Sequence, residues 1–260
     1  MCRFLAYAGA PVFLNQLVCE PAHSLLHQSL QAERAVTVTN GDGFGIGWYG
    51  EREAPAVYRE VMPAWSDENL LALCHTLRSP MFFAHVRAAT GTAIARQNSH
   101  PFRCGRWLFM HNGQIGGYAK LRRQLESRLP DELYASRKGA TDSELLFLLA
   151  LARIEQGQSP TTAVMTVFDE TAALMHCHGI EAPLRFAAAL ADGEHLHVFR
   201  LASDGKPPSL YVNAGAKGTV VASEPLDDKD SEWRLMPAGG TLTLDRAGCA
   251  VKDEALATCA

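Results

Sequence analysis

Two strong helical periods, over residues 142–156 and 160–176, stand between two groups of short strand-like runs in a chain of 260 residues. Each opens on a start signal, a capping residue for the first and a proline at an N1-type position for the second. Weaker helical periods cover 23–35, 118–129 and, behind a Ser66/Asp67 cap, 67–77. Strand-like runs fall at 44–49, 82–87 and 107–111 before the long helices, and at 186–190, 195–201, 219–222 and 240–244 after them. That order fits an α+β layered domain better than a regular βαβ alternation. No Pro/Gly/Ser linker divides the chain, so residues 1–260 are expected to form one domain. The turn-rich part beyond about residue 200 reads as a closing set of edge strands.

Composition removes several function classes. Apolar residues make up 47% of the chain and charged residues 20%, which supports a sizeable core and excludes wholesale disorder. A net charge of −4 implies no basic face, so nucleic acid is not an expected partner. The longest apolar run, 145–152, is too short to span a bilayer. No charged and then apolar leader opens the chain, and a cytoplasmic location is the resulting expectation. The seven cysteines are odd in number and lack CxxC spacing, unlike a disulfide framework or a zinc site. His176-Cys177-His178 does not change this, because adjacent side chains on a helix diverge and no second cluster completes four ligands.

Five segments carry possible chemistry. Cys2 directly follows the initiator methionine. If Met1 is trimmed, thiol and α-amine share one residue, with ordinary pKa values of about 8.5 and about 8. The amine can then act as base for the sulfur. Gly45-Ile46-Gly47-Trp48-Tyr49-Gly50 spells GxGxxG, but Pro55 and the lack of a following helix favour a hairpin or a close backbone approach over nucleotide binding. Arg87 and Thr90, three apart after an apolar run, suit a carboxylate, or else a surface ion pair at a loop mouth. Asn112 and Gly113 follow the run 107–111 as a polar turn. Their amide and backbone N–H could aim two donors at one oxygen, and Asn-Gly is equally a hairpin pair. Asp142, beside Thr141, is either a helix cap or a receiver for an ammonium group.

Taken in order, Cys2, Arg87 with Thr90, Asn98-Ser99-His100-Pro101-Phe102, His111-Asn112-Gly113 and Thr141-Asp142-Ser143-Glu144 resemble the class II glutamine amidotransferase domain. The likeness is concentrated in residues 2–150. It implies a four-layer αββα sandwich of N-terminal-nucleophile hydrolase type. Asp42-Gly43-Phe44-Gly45-Ile46-Gly47-Trp48 and Ala222-Ser223-Glu224-Pro225-Leu226 are similar to the small stand-alone subgroup of that family, which includes the γ-glutamyl amidohydrolase of the ergothioneine pathway. Ala88 and Gly91 stand where members that make glucosamine phosphate or phosphoribosylamine carry a tryptophan and a histidine.

What the resemblance implies is a glutaminase-type hydrolase or transferase acting through a γ-glutamyl thioester on Cys2. Asn112 and Gly113 would form the oxyanion hole, Arg87 and Thr90 would hold the α-carboxylate, and Asp142 the α-ammonium. The chemistry requires no metal or organic cofactor. The substrate would be glutamine or a larger γ-glutamyl amide, with a partner protein as a conceivable acceptor of ammonia. An alternative reading keeps the pocket without catalysis, as a glutamyl-ligand sensor or partner subunit, and a retained Met1 would favour it.

Overall fold

A computed structural model describes residues 2–31, 39–89, 91–228 and 232–251. In chain order the elements are β1 (Arg3–Phe13), α1 (Asn15–Val18), α2 (Leu25–Leu30), β2 (Phe44–Tyr49), β3 (Ala56–Glu60), α3 (Glu68–Thr76), β4 (Arg78–Val86), β5 (Phe102–Cys104) and β6 (Trp107–Ile115). Four helices follow: α4 (Tyr118–Glu126), α5 (Asp131–Ser136), α6 (Asp142–Glu155) and α7 (Pro160–Cys177). The chain closes with β7 (Leu184–Ala191), β8 (His195–Ala202), β9 (Tyr211–Gly215), β10 (Gly218–Ala222), β11 (Arg234–Leu235), β12 (Gly240–Asp245) and β13 (Ala250–Val251).

Among the described residues the strands form two antiparallel sheets, in the orders β11-β9-β10-β1-β4-β2-β3 and β13-β12-β8-β7-β6-β5. Side chains alternate across each strand, and the alternation sorts the core into three layers. Phe4, Ala6, Ala8, Met81 and Phe83 meet Leu108, Met110, Ala187 and Ala189 between the sheets. Leu5, Tyr7, Phe82 and Ala84 face outward with residues of α2 and α3. Phe109, Ile115, Phe186 and Phe199 face α4, α6 and α7. The result is the αββα sandwich of N-terminal-nucleophile hydrolase type.

Caps set the helix starts. Thr141 accepts from the Glu144 N–H, Ser159 from Thr162, and Asp67 from Leu70. Helix α6 is buried from Ser143 through Ala152, because it lies between its sheet and the helices α4 and α7. The glycines of β2 allow close approach. A Cβ on Gly45 would collide with the His100 carbonyl, and one on Gly47 would meet Pro101 at 2.7 Å. The GxGxxG string therefore belongs to a hairpin strand against which the opposite sheet's loop packs.

Three expectations need correction. Residues 112–113 are not a turn: β6 continues to Ile115, with Asn112 opposite Ala187 and Gly113 opposite Phe186. The late strands are not all edges, since β10 lies between β9 and β1, and β12 between β8 and β13. The helical period over 23–35 gives only Leu25–Leu30; residues 32–38 lie outside the described residues.

Candidate active site

Cys2 sits just before β1, on the strand face that next carries Phe4 and Ala6 into the inter-sheet layer. Its sulfur lies 3.6 Å from the Ala88 carbonyl. Arg3 pairs with Val86 in the register, so Cys2 lies beside the place where β4 runs out into Arg87. Arg87 extends the β2–β4 ladder by one step, donating to the Gly43 carbonyl (2.8 Å) and accepting from the Asp42 N–H (3.0 Å). Its guanidinium is buried. Nη2 donates to Thr92 Oγ1 (2.8 Å) and the Ala93 carbonyl (3.2 Å), while Nη1 is buried and has no partner among the described residues. The Asp42 carboxylate accepts from the Ala89 N–H at 2.8 Å. Burial raises the Cys2 thiol pKa, against the opposing pull of the Ala88 contact and of positive charge at the chain terminus, Arg87 and Arg3.

The position of Cys2 is fixed from the far end of the sequence. Arg3 Nε donates to Glu224 at 2.7 Å, and Arg3 Nη1 donates to the carbonyl of Cys2 itself at 3.0 Å. Ser223 Oγ accepts from the Phe4 N–H, and the Ser223 N–H donates back to the Phe4 carbonyl, both at 3.0 Å.

The opposite wall comes from β6 and the start of α6. By the two-residue period that buries Leu108 and Met110 between the sheets, Asn112 also points into that layer. Its Nδ2 is buried and has no hydrogen-bond partner among the described residues. Leu108 approaches Gly47, whose strand partner is Phe83, and the His111 backbone approaches His85. Strands β4 and β6 therefore run alongside each other, and Arg87 and Asn112 end up at one end of the inter-sheet layer. Asp142 is tied to the same end: Oδ2 accepts from the Ile115 N–H and Oδ1 from the Ser143 N–H, each at 2.8 Å.

His111 faces the helices. Its Nε2 must donate to the Arg185 carbonyl (3.1 Å), which leaves Nδ1 to accept from Ser143 Oγ (2.9 Å). The tautomer locks the strand carrying Asn112 and Gly113 to the helix carrying Asp142. Gly113 has no room for a side chain, because a Cβ would run into the Arg185 carbonyl.

A third side is closed by loops. Asn98 Nδ2 donates to the Ala93 carbonyl and its Oδ1 accepts from the Ala140 N–H, both at 2.9 Å. Arg87, residues 92–93, Asn98 and Ala140 thus form one hydrogen-bonded wall. Behind it His85 and His100 stack with ring centroids 4.2 Å apart, fully buried. Burial lowers the His85 pKa to about 3 and holds His100 well below the ordinary imidazole range.

The structure brings Cys2 beside Arg87, and joins Asn112 and Gly113 to Asp142 through His111 and Ser143. Thr90 lies outside the described residues. Asp42, Thr92, Asn98 and the Arg3–Glu224 pair had no role assigned from sequence. Asp42 and Asn98 stand inside motifs whose order was informative, but a single chain gives no sign of which backbone groups they hold.

Residues 14–204 match the family model described as class II glutamine amidotransferases. A probable glutamine amidotransferase of Saccharomyces cerevisiae, DUG3, is 29% identical over 95% of this chain and 82% of its own length. The gamma-glutamyl-hercynylcysteine sulfoxide hydrolase of Mycolicibacterium smegmatis is 30% identical over 91% of this chain and 92% of its own. Among solved structures, a glutamine aminotransferase class-II domain protein from Silicibacter pomeroyi superposes with a TM-score of 0.73, at 35% identity, covering 96% of this chain and 97% of that one. The chain belongs to the class II glutamine amidotransferases, a family of amide-cleaving enzymes.

Proposed function

We propose that this enzyme hydrolyses a γ-glutamyl amide through a thioester on Cys2, exposed as the first residue by removal of Met1. The observation that carries the reading is a pair of buried donors without partners among the described residues, Arg87 Nη1 and Asn112 Nδ2, at the end of the sandwich where the Cys2 sulfur lies. A buried donor left unsatisfied is costly, and a substrate offering two oxygens satisfies both. Arg87 receives the α-carboxylate, with Thr90 as a second contact. Asp142 receives the α-ammonium; its two oxygens each accept one backbone N–H and retain lone pairs for more. Asn112 Nδ2 and the Gly113 N–H receive the oxygen of the γ-carbonyl as it becomes an oxyanion.

In the first step the sulfur bonds to the carbonyl carbon of the γ-amide, the C=O π electrons move onto the oxygen, and the thiol proton passes to the α-amine of Cys2. The tetrahedral adduct then collapses, the C–N bond breaks, and the amine leaves with the proton. Water attacks the thioester in turn, releasing glutamate and restoring the thiol. Likeness to the mycobacterial hydrolase over nearly its full length supports a γ-glutamyl compound larger than glutamine, with water as acceptor. If glutamine is the substrate, the ammonia passes to solvent or to an acceptor site on a partner protein.

Glutamate release from glutamine and from a panel of γ-glutamyl amides tests the reading. Faster turnover of a bulkier amide, abolished by Cys2→Ala with the fold intact, is expected. Full activity in the Cys2→Ala protein would remove the mechanism, and a preference for glutamine over every amide would return the enzyme to the ammonia-donating branch.

A further inference from the structure

On the outer side of the Asn98 wall, β3, β5 and the segment leading into α6 border a separate, partly open cavity of about 160 Å³. Its charged lining is Arg59, Arg103, Lys138 and Glu144. Three cations against one carboxylate leave a net charge of +2 around a small space.

The carboxylate is already engaged. Glu144, buried at the third position of α6, accepts from the Lys138 N–H at 3.0 Å and from the Gly139 N–H at 2.6 Å. Among the described residues none of the three cations forms an ion pair with a carboxylate at hydrogen-bond distance. Arg59 Nη1 donates to the Ser99 carbonyl and Arg103 Nη1 to the Pro55 carbonyl, both at 3.1 Å. Arg59 is half-buried, and its charge is opposed by burial and by the fields of Arg103 and Arg96, with only Glu144 in its favour. Arg96 itself is spoken for by Glu60 at 2.5 Å. Cations gathered around a small space, where the hydrogen-bonding positions of the one carboxylate are taken by backbone N–H groups, suit an oxyanion.

We propose that this cavity binds a small dianion of phosphate type, held by Arg59, Arg103 and Lys138. The site is distinct from the γ-glutamyl site and does not depend on that reading. The two share a wall, since Gly139 packs against Asn98 Oδ1 and the Glu144 carboxylate. A bound dianion stiffens the segment 138–140, whose Ala140 N–H holds Asn98.

Calorimetric titration of the full-length protein with inorganic phosphate, in buffers matched for ionic strength with chloride, tests this without reference to turnover. Saturable binding at millimolar phosphate is expected. The exposed pair Arg103→Ala with Lys138→Ala, which leaves the buried framework intact, should raise Kd by at least about tenfold, because each removed cation forfeits a charge-assisted bond. Absence of saturable phosphate binding, unchanged affinity in the double variant, or acetate binding as tightly as phosphate would each overturn the assignment.

Discussion

Arg3 and Glu224, 221 positions apart in the chain, form a buried ion pair at 2.7 Å, and the same guanidinium holds the carbonyl of Cys2. The first strand of the fold is thereby clamped by the turn that follows β10, and the clamp sits next to the residue whose thiol is proposed to react. A buried pair contributes little against a well-packed apolar substitute, but removing one partner strands the other charge.

Glu224→Ala should therefore destabilise the protein by about 3–5 kcal/mol, the range for one broken buried pair. It should also lower kcat more than KM, because the displaced group is Cys2, while Arg87, proposed to receive the carboxylate, is anchored independently through Gly43 and Asp42. Urea unfolding and steady-state kinetics check both parts. An unchanged unfolding midpoint would show that the pair carries neither role.

Arg87→Ala addresses the other side of the pocket. Loss of a charge-assisted contact to the substrate carboxylate costs about 1.5–3 kcal/mol, so KM should rise about tenfold to 150-fold while kcat changes less. Substrates lacking the α-carboxylate should be indifferent to the substitution. Equal losses for substrates with and without that group would assign Arg87 to scaffolding of residues 92–93 instead.

Most of the fold was legible because its periodic elements obey local rules. The capped helices α6 and α7 and the strands β2, β7 and β8 appear within a few residues of where period and capping place them. The largest omission is β1, eleven residues long, whose Gly9-Ala10-Pro11 reads as a break. It survives there because a register shift between Ala8 and Val12 absorbs the irregular stretch, and the Lys217 carbonyl accepts the Ala10 N–H. The end of β6 was misread for a related reason: Asn112-Gly113 carries a turn signature that pairing with Ala187 and Phe186 overrides. At the site, residue types and order named Cys2, Arg87, Asn112, Gly113 and Asp142 as candidates. The clamp of Arg3 by Glu224 and the bridge of Asn98 to Ala140 depend on contacts far apart in sequence, which no local pattern encodes.

Gly45 is predicted to be intolerant of even the smallest side chain. Its φ needs no glycine, so the constraint is steric: a Cβ there would occupy the space of the His100 carbonyl. Overpacking of this kind costs typically about 1–3 kcal/mol, and more where the obstacle is backbone. Gly45→Ala should lower the thermal midpoint well beyond Gly50→Ala, where a Cβ meets nothing within 4 Å. Equal midpoints for the two variants would show that the sheets can separate at no cost.

The stacked pair His85 and His100 makes acid sensitivity a property of the core. Both are buried and neutral, with His85 at about 3 and His100 well below its ordinary range. In the unfolded chain each titrates near its usual value of about 6.5. Above that pH neither state is protonated and the pair has no pH-dependent effect. As pH falls below it, the unfolded chain binds protons that the folded core refuses, so stability declines until the folded values are reached. Each residue should contribute a slope of about 1.4 kcal/mol per pH unit over that window. Urea denaturation at steps between pH 6.5 and 4.5, as rough bounds of the window, should show the decline. His100→Phe, which keeps a ring stacked on His85, should remove one proton's worth of it. Identical pH dependence in that variant would mean His100 is protonated in the folded protein, and a partner for its charge would have to exist beside Arg87.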